Sequence, residues 1–273
     1  MMKQEYLDFL HDTLKYLGFG VDTPLNLELE SKIKEELPAF ELKTETCFDG
    51  ESLMSARLFF KQGSEAYKDR YFFNRYEAHL HYISTPDRDR KHIFYIEHNR
   101  RGVTFKQAYN LLQGRYVQKR VIDQNNEPHF WWVHLEPEMG ENGGAYLRSI
   151  KRYFDLEKAL DLYPIQELKY PDGRERICTA LRRGNLHPVT FIHENRKTET
   201  KLLYANPDKG LICNVAVAMG ATEPEADVPS VNETPELEHA GDESISESLL
   251  QKEGQREMEG EKEPSRARKK AQL

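Results

Sequence analysis

Residues 102–137, GVTFKQAYNLLQGRYVQKRVIDQNNEPHFWWVHLEP, leave little freedom in how they fold. Thr104 is placed to cap a helix, and Gln107 three residues on completes a capping box. Phe105, Ala108, Tyr109 and Leu112 fall at i, i+3, i+4 and i+7, which puts them on one apolar face. Gly114 stands where a helix end wants a residue tolerant of positive φ. Strands are predicted at about Tyr116–Ile122 and His129–Leu135, joined through Gln124, Asn125, Asn126 and Glu127.

The same pattern recurs 70 positions later. Leu111, Gly114, Ile122, Asn125 and Pro137 align without gaps on Leu181, Gly184, Ile192, Asn195 and Pro207. Val121, Trp132, Val133 and His134 match Phe191, Leu202, Leu203 and Tyr204 in character. The second helix, RERICTALRR, sets Ile177, Ala180 and Leu181 on one face, with Asp172 as its cap and Glu175 completing the box. Two readings stand: a duplicated helix–Gly–hairpin unit, or two instances of a common arrangement. The joint agreement of helix stop, turn and terminal proline favours duplication.

Before the first unit, Tyr6, Phe9, Leu10, Leu14 and Leu17 form a helical stripe, and a second helix is predicted over Leu27–Leu37. FELKTETCF and SLMSARLFF flank Asp49-Gly50, a hairpin signal with tight-turn chemistry. Strands follow at Tyr71–Ser84 and His92–Glu97. Residues 138–149 read as a flexible connection, Leu156–Tyr163 as a helix, Tyr170–Gly173 as a turn and Leu211–Ala218 as a last strand. The fold class is therefore α+β: an antiparallel meander with short helices packed on it. A division into 1–137 and 138–220 follows from this order, with 221–273 as a third region.

That third region has a different composition. Residues 221–273 hold 14 acidic and 7 basic residues and no Phe, Tyr or Trp, leaving the rest balanced at 32 acidic against 32 basic. Such a segment buries too little apolar surface to offset its ordering entropy, so disorder is expected. Its basic end, Arg266 to Lys270, reads as a solvated terminus, with a nucleic-acid or membrane contact as the alternative. Cys47, Cys178 and Cys213 are odd in number and widely spaced, which argues against a disulfide framework or a cysteine zinc site. No run approaches a membrane span, and the N-terminus has no apolar leader core. A cytoplasmic protein is expected.

No phosphate loop, nucleophile elbow or HExxH motif occurs, and no catalytic residue is assigned. Cofactors are not expected either. Glu77, His79 and His81 alternate on one strand face, but a metal would need a further ligand brought in by folding, with His92 and His129 as candidates. A water-facing polar strand explains the same residues, and no metal residue is assigned. Residues 68–101 interleave cations, including Lys68, Arg70, Arg75, Arg88, Arg90, Lys91, Arg100 and Arg101, with aromatics such as Tyr76. Aromatics on a sheet can stack bases while cations hold phosphates. Trp131 and Trp132 must point to opposite faces of their strand, one into the core; an exposed one would be a binding hot spot. Arg70, Arg75, Tyr76, Arg88, Arg90, Lys91, Trp131 and Trp132 form the candidate partner or nucleic-acid surface.

LKYLGFG, YFFNRYEAHL and GVTFKQAYNLLQGRYVQK followed by a W-x-x-L strand resemble uncharacterised proteins of mobile and conjugative elements of Bacteroidota. The helix–Gly–hairpin unit is similar to a domain of unknown function repeated in larger proteins of those elements. The resemblance spans roughly residues 5–210 and brings no active site with it. It implies a cytoplasmic accessory protein travelling with DNA-transfer genes. The expectation is a non-catalytic module that binds a protein partner, with a nucleic-acid-binding accessory factor as the alternative and no membrane contact.

Overall fold

The computed structural model describes residues 4–20, 24–96, 102–122, 127–137, 145–150 and 153–216. Helices α1 (Gln4–Tyr16) and α2 (Pro24–Lys34) precede an antiparallel sheet of β1 (Ala39–Thr46), β2 (Ser52–Gln62), β3 (Tyr71–Tyr82) and β4 (Arg90–Tyr95), paired in sequence order. Helix α3 (Phe105–Leu112) leads into a sheet of β5 (Val117–Ile122), β6 (Pro128–Pro137) and β7 (Ala145–Ile150). Helices α4 (Leu156–Asp161) and α5 (Pro171–Arg182) precede a sheet of β8 (His187–Ile192), β9 (Thr198–Asn206) and β10 (Leu211–Ala216), with β9 central. The protein is α+β, with all three sheets antiparallel. Among the described residues no helix is long and apolar enough to cross a membrane.

Period-2 alternation sorts the first sheet. Leu42, Met54, Leu58, Tyr76, Ala78 and Leu80 point inward and are buried against Leu10, Leu14, Leu29, Phe105 and Leu111 of the helices. Tyr76 is completely buried and its hydroxyl donates to the Val103 carbonyl at 2.6 Å. A second core gathers Leu160, Ile177, Leu181, Val189, Leu203 and Ile212. The β5–β7 sheet serves both cores: Val117, Val133 and Leu135 belong to the first, Trp132 and Ile150 to the second.

The α3 start is as its sequence demands. Gln107 N–H donates to Thr104 Oγ1 at 3.3 Å, and Thr104 N–H donates to the Gln107 side chain at 3.1 Å. Both helix stops are glycines in the left-handed region, Gly114 at φ 79° and Gly184 at φ 80°. Beyond them, Arg115 N–H donates to Asn110 O and Asn185 N–H to Ala180 O, the wrap of a Schellman close. The hairpins keep the same offset of 70 in register, Val117 opposite Val133 and His187 opposite Leu203.

Three local expectations are corrected. Residues 145–150 form strand β7 along β6, Leu147 opposite Leu135, and the glycine-rich run before it concealed the strand. Helix α5 starts at Pro171, so Asp172 lies inside its first turn and is not the cap, and Tyr170 at the cap position makes no side-chain bond. Proline suits a first helical position, where its missing N–H has no partner to lose. Gly173 belongs to the same turn because a Cβ there would lie 2.4 Å from Glu167 O. Asp49-Gly50 occupies a longer loop than a two-residue hairpin, since the last pair is Thr46 with Met54. The turn at 124–126, the segment 138–144, Arg100, Arg101 and the region 221–273 lie outside the described residues.

Candidate functional site on the outer face of the meander

The outer face of the four-stranded sheet carries the chemistry. Its rows run across the strands by register: Lys43, Arg57, Glu77 and Ile93 in one, then Glu45, Ser55, His79 and Lys91 in the next. Phe59, Arg75 and Tyr95 make a third. Arg57 Nη2 lies 2.7 Å from Glu77 Oε1, and its Nη1 lies 3.8 Å from Glu41, giving a chain of alternating sign. The Glu77 hydrogen bond raises the Arg57 pKa further above its usual range. Phe59 lies between two guanidiniums, 5.6 Å from Arg57 and 5.1 Å from Arg75. A groove of about 380 Å³ crosses this face, lined by Lys43, Glu45, Ser55, Arg57, Glu77 and His79.

At the β3 end of the face a turn folds back. Pro86–Arg88 forms a 3₁₀ turn, and Asp89 N–H donates to Pro86 O at 3.0 Å. This brings the Asp89 carboxylate over the strand end. Its Oδ1 accepts the Tyr82 N–H at 2.9 Å, and its Oδ2 contacts His81 Nδ1 and lies 3.5 Å from His79 Nε2. The donor atoms of His79, His81 and Asp89 all lie within 4.8 Å of one another. Hydrogen bonds from His81 and the Tyr82 N–H hold the Asp89 carboxyl below the usual carboxylate range.

The chain matches no family model, no curated protein and no solved structure. The site therefore stands on its geometry.

The eight residues singled out from the sequence do not converge. Arg75 and Lys91 lie on the outer face, Lys91 opposite His79. Arg88 is exposed and sits over the Tyr82 ring at 4.8 Å, while Arg90 donates to Leu112 O at 3.0 Å and closes the end of α3. Arg70 stands at the far end of β3, roughly 35 Å of strand from His81, with its guanidinium over Tyr6 and Tyr67. Tyr76 and Trp132 are withdrawn from any surface, because both fill the cores at 0% and 3% exposure. Trp131 is the exposed member of its pair at 44%, on the β5–β7 sheet. The third partner of His79 and His81 is Asp89 instead of His92, which meets the Phe94 ring edge-on, or His129 on another sheet. Asp89 carries no motif, and only the return of the turn reveals it.

A second polar cluster is a clamp. Arg148 of β7 bridges Glu136 of β6 and Asp208 of the β9–β10 turn, and Tyr116 donates to Asp208 at 2.9 Å. Burial, then the Asp208 hydrogen bond, pushes the Tyr116 hydroxyl well above its usual pKa. His134 stacks on Tyr116 at 4.4 Å, with Nδ1 at Glu136 and Nε2 at Gly114 O. These groups satisfy one another and tie two sheets together.

Proposed function

We propose that the protein is a non-catalytic accessory module that binds a partner protein on the outer face of β1–β4. The observation behind this reading is the balance of that face. Lys43, Arg57, Arg75 and Lys91 are matched by Glu41, Glu45, Glu77 and Asp89, with Leu53, Phe59, Ile93 and Tyr95 among them. Nucleic-acid affinity comes from accumulated positive charge, which paired rows do not provide. Mixed charges around aromatic and aliphatic groups match the composition of a non-obligate protein interface. The partner that fits is a folded protein or segment presenting its own alternating charges around an apolar centre. The likeness to proteins of mobile and conjugative elements supplies the setting, a cytoplasmic accessory role beside DNA transfer.

Two measurements decide it. An Arg57→Glu, Phe59→Ser variant should lose the partner captured by wild type from the native host, while an Arg148→Ala variant should retain it. Fluorescence anisotropy with random DNA should give dissociation constants near or beyond the roughly 10⁻⁴ to 10⁻⁶ M of non-specific binders. Sub-micromolar binding at about 150 mM salt that is lost in an Arg75→Glu, Lys91→Glu variant would make nucleic acid the first reading.

A further inference from the structure

We infer that His79, His81 and Asp89 form a binding site for one divalent transition-metal ion of the zinc and cobalt class. The inference goes beyond the docking reading and does not depend on it. The donor set is two imidazole nitrogens and one carboxylate oxygen, which suits borderline ions and not magnesium or calcium. In a tetrahedral zinc site with bonds of about 2.0 Å, neighbouring donors stand roughly 3.3 Å apart. His79 Nε2 and Asp89 Oδ2 are 3.5 Å apart, already at that spacing. His81 holds the carboxylate by a hydrogen bond, and admitting the ion requires its partly exposed ring to turn outward.

The supporting structure is rigid where it matters. His79 is paired on both sides, with Ser55 of β2 and Lys91 of β4, and His81 is paired with Leu53. Asp89 is oriented through its other oxygen by the Tyr82 N–H, the outer contact that fixes a ligating carboxylate. Lys91 opposes a bound cation, but Glu77 and Glu45 line the same groove as His79 and offset it. Three protein ligands leave a coordination position open, as in sites that take water or an outside ligand.

The test uses full-length protein without a polyhistidine tag. Cobalt(II) titration, read by visible absorption, counts sites and reports geometry, and competition with zinc gives the zinc affinity. The expected result is one equivalent bound, with His81→Ala and Asp89→Asn each weakening it tenfold or more. Asp89→Asn keeps an acceptor for the Tyr82 N–H, and far-UV circular dichroism of the metal-free variants confirms that they fold; His79→Gln serves if one does not. Cys47→Ser and His193→Ala, at an exposed thiol and a separate His–Glu pair, should leave binding unchanged. Absence of binding at about a hundred micromolar metal would overturn the inference. So would binding that survives loss of His81 and Asp89, or that follows Cys47 or His193.

Discussion

Gly114 and Gly184 hold the same backbone conformation in different surroundings. A Cβ on Gly114 would meet only the Arg90 guanidinium, at the ordinary contact distance of 3.4 Å. On Gly184 it would lie 2.8 Å from Tyr116 O and 2.9 Å from Val117 Cγ2, both in the shared sheet region. Gly114→Ala should therefore cost the left-handed backbone term, about 1–2 kcal/mol. Gly184→Ala should cost that plus an overpacking term of about 1–3 kcal/mol. Urea midpoints of the two variants check this, and equal losses would mean that the Gly184 contact yields. The positive φ was legible in the sequence, since a glycine one turn past an apolar stripe has few other uses. The close approach was not, because Tyr116 and Val117 lie 68 and 67 positions away. The tryptophan pair has the same limit. Alternation put Trp131 and Trp132 on opposite faces, but only the second core determines that Trp132 is covered, against Phe154.

Elements whose ends are set locally were the readable ones. The Thr104–Gln107 box, the apolar stripe of α4 from Leu156 and the alternation of β1–β4 need only neighbours a few residues apart. Strand β7 and the start of α5 depend on tertiary contacts, which a glycine-rich run and a Pro-Asp-Gly turn signal concealed. The β1–β2 loop is an intermediate case that carries a pH prediction. Burial pushes the Asp49 carboxyl up, but hydrogen bonds from the Tyr109 hydroxyl at 2.6 Å and from the Glu51 and Ser52 N–H groups hold it below its usual value. A depressed carboxylate stabilises the folded state above the unfolded value, and that contribution is lost as pH falls toward the folded one. The melting temperature should thus drop below about pH 4, where an ordinary aspartate titrates. Tyr109→Phe removes the bond from α3 to this loop. It should cost about 1–2 kcal/mol at neutral pH and flatten the acid side of the profile. A profile that stays unchanged would show that the loop's own N–H groups suffice to hold Asp49 ionised.

At the scale of the whole molecule, the shared hairpin register and glycine stops of the two helix–Gly–hairpin units lead us to propose that they arose by duplication, with α5 extended at its start. Their contact is asymmetric. Asn110, fully buried, donates to Arg183 O and Asn185 Oδ1 at 2.8 Å each, and Arg115 donates to Gly184 O at 2.8 Å and to Asn110 Oδ1 at 2.6 Å. The end of α3 thereby plugs the end of α5, and the β5–β7 sheet contributes side chains to both cores. Neither core can lose its packing without exposing part of that sheet, so the described residues should unfold as one cooperative unit. Leu111→Ala in the first core and Leu181→Ala in the second remove completely buried side chains and should each cost about 2–5 kcal/mol. Both tryptophans lie on β6, in the shared sheet, so their fluorescence follows the join while far-UV circular dichroism follows the ten strands and five helices of the described residues. In wild type and in both variants the two probes should give coincident urea transitions, displaced together to lower denaturant. If Leu181→Ala instead splits the transition, with ellipticity lost at two midpoints and fluorescence following only one, the second core melts independently, and the Asn110–Arg115 junction does not couple the halves.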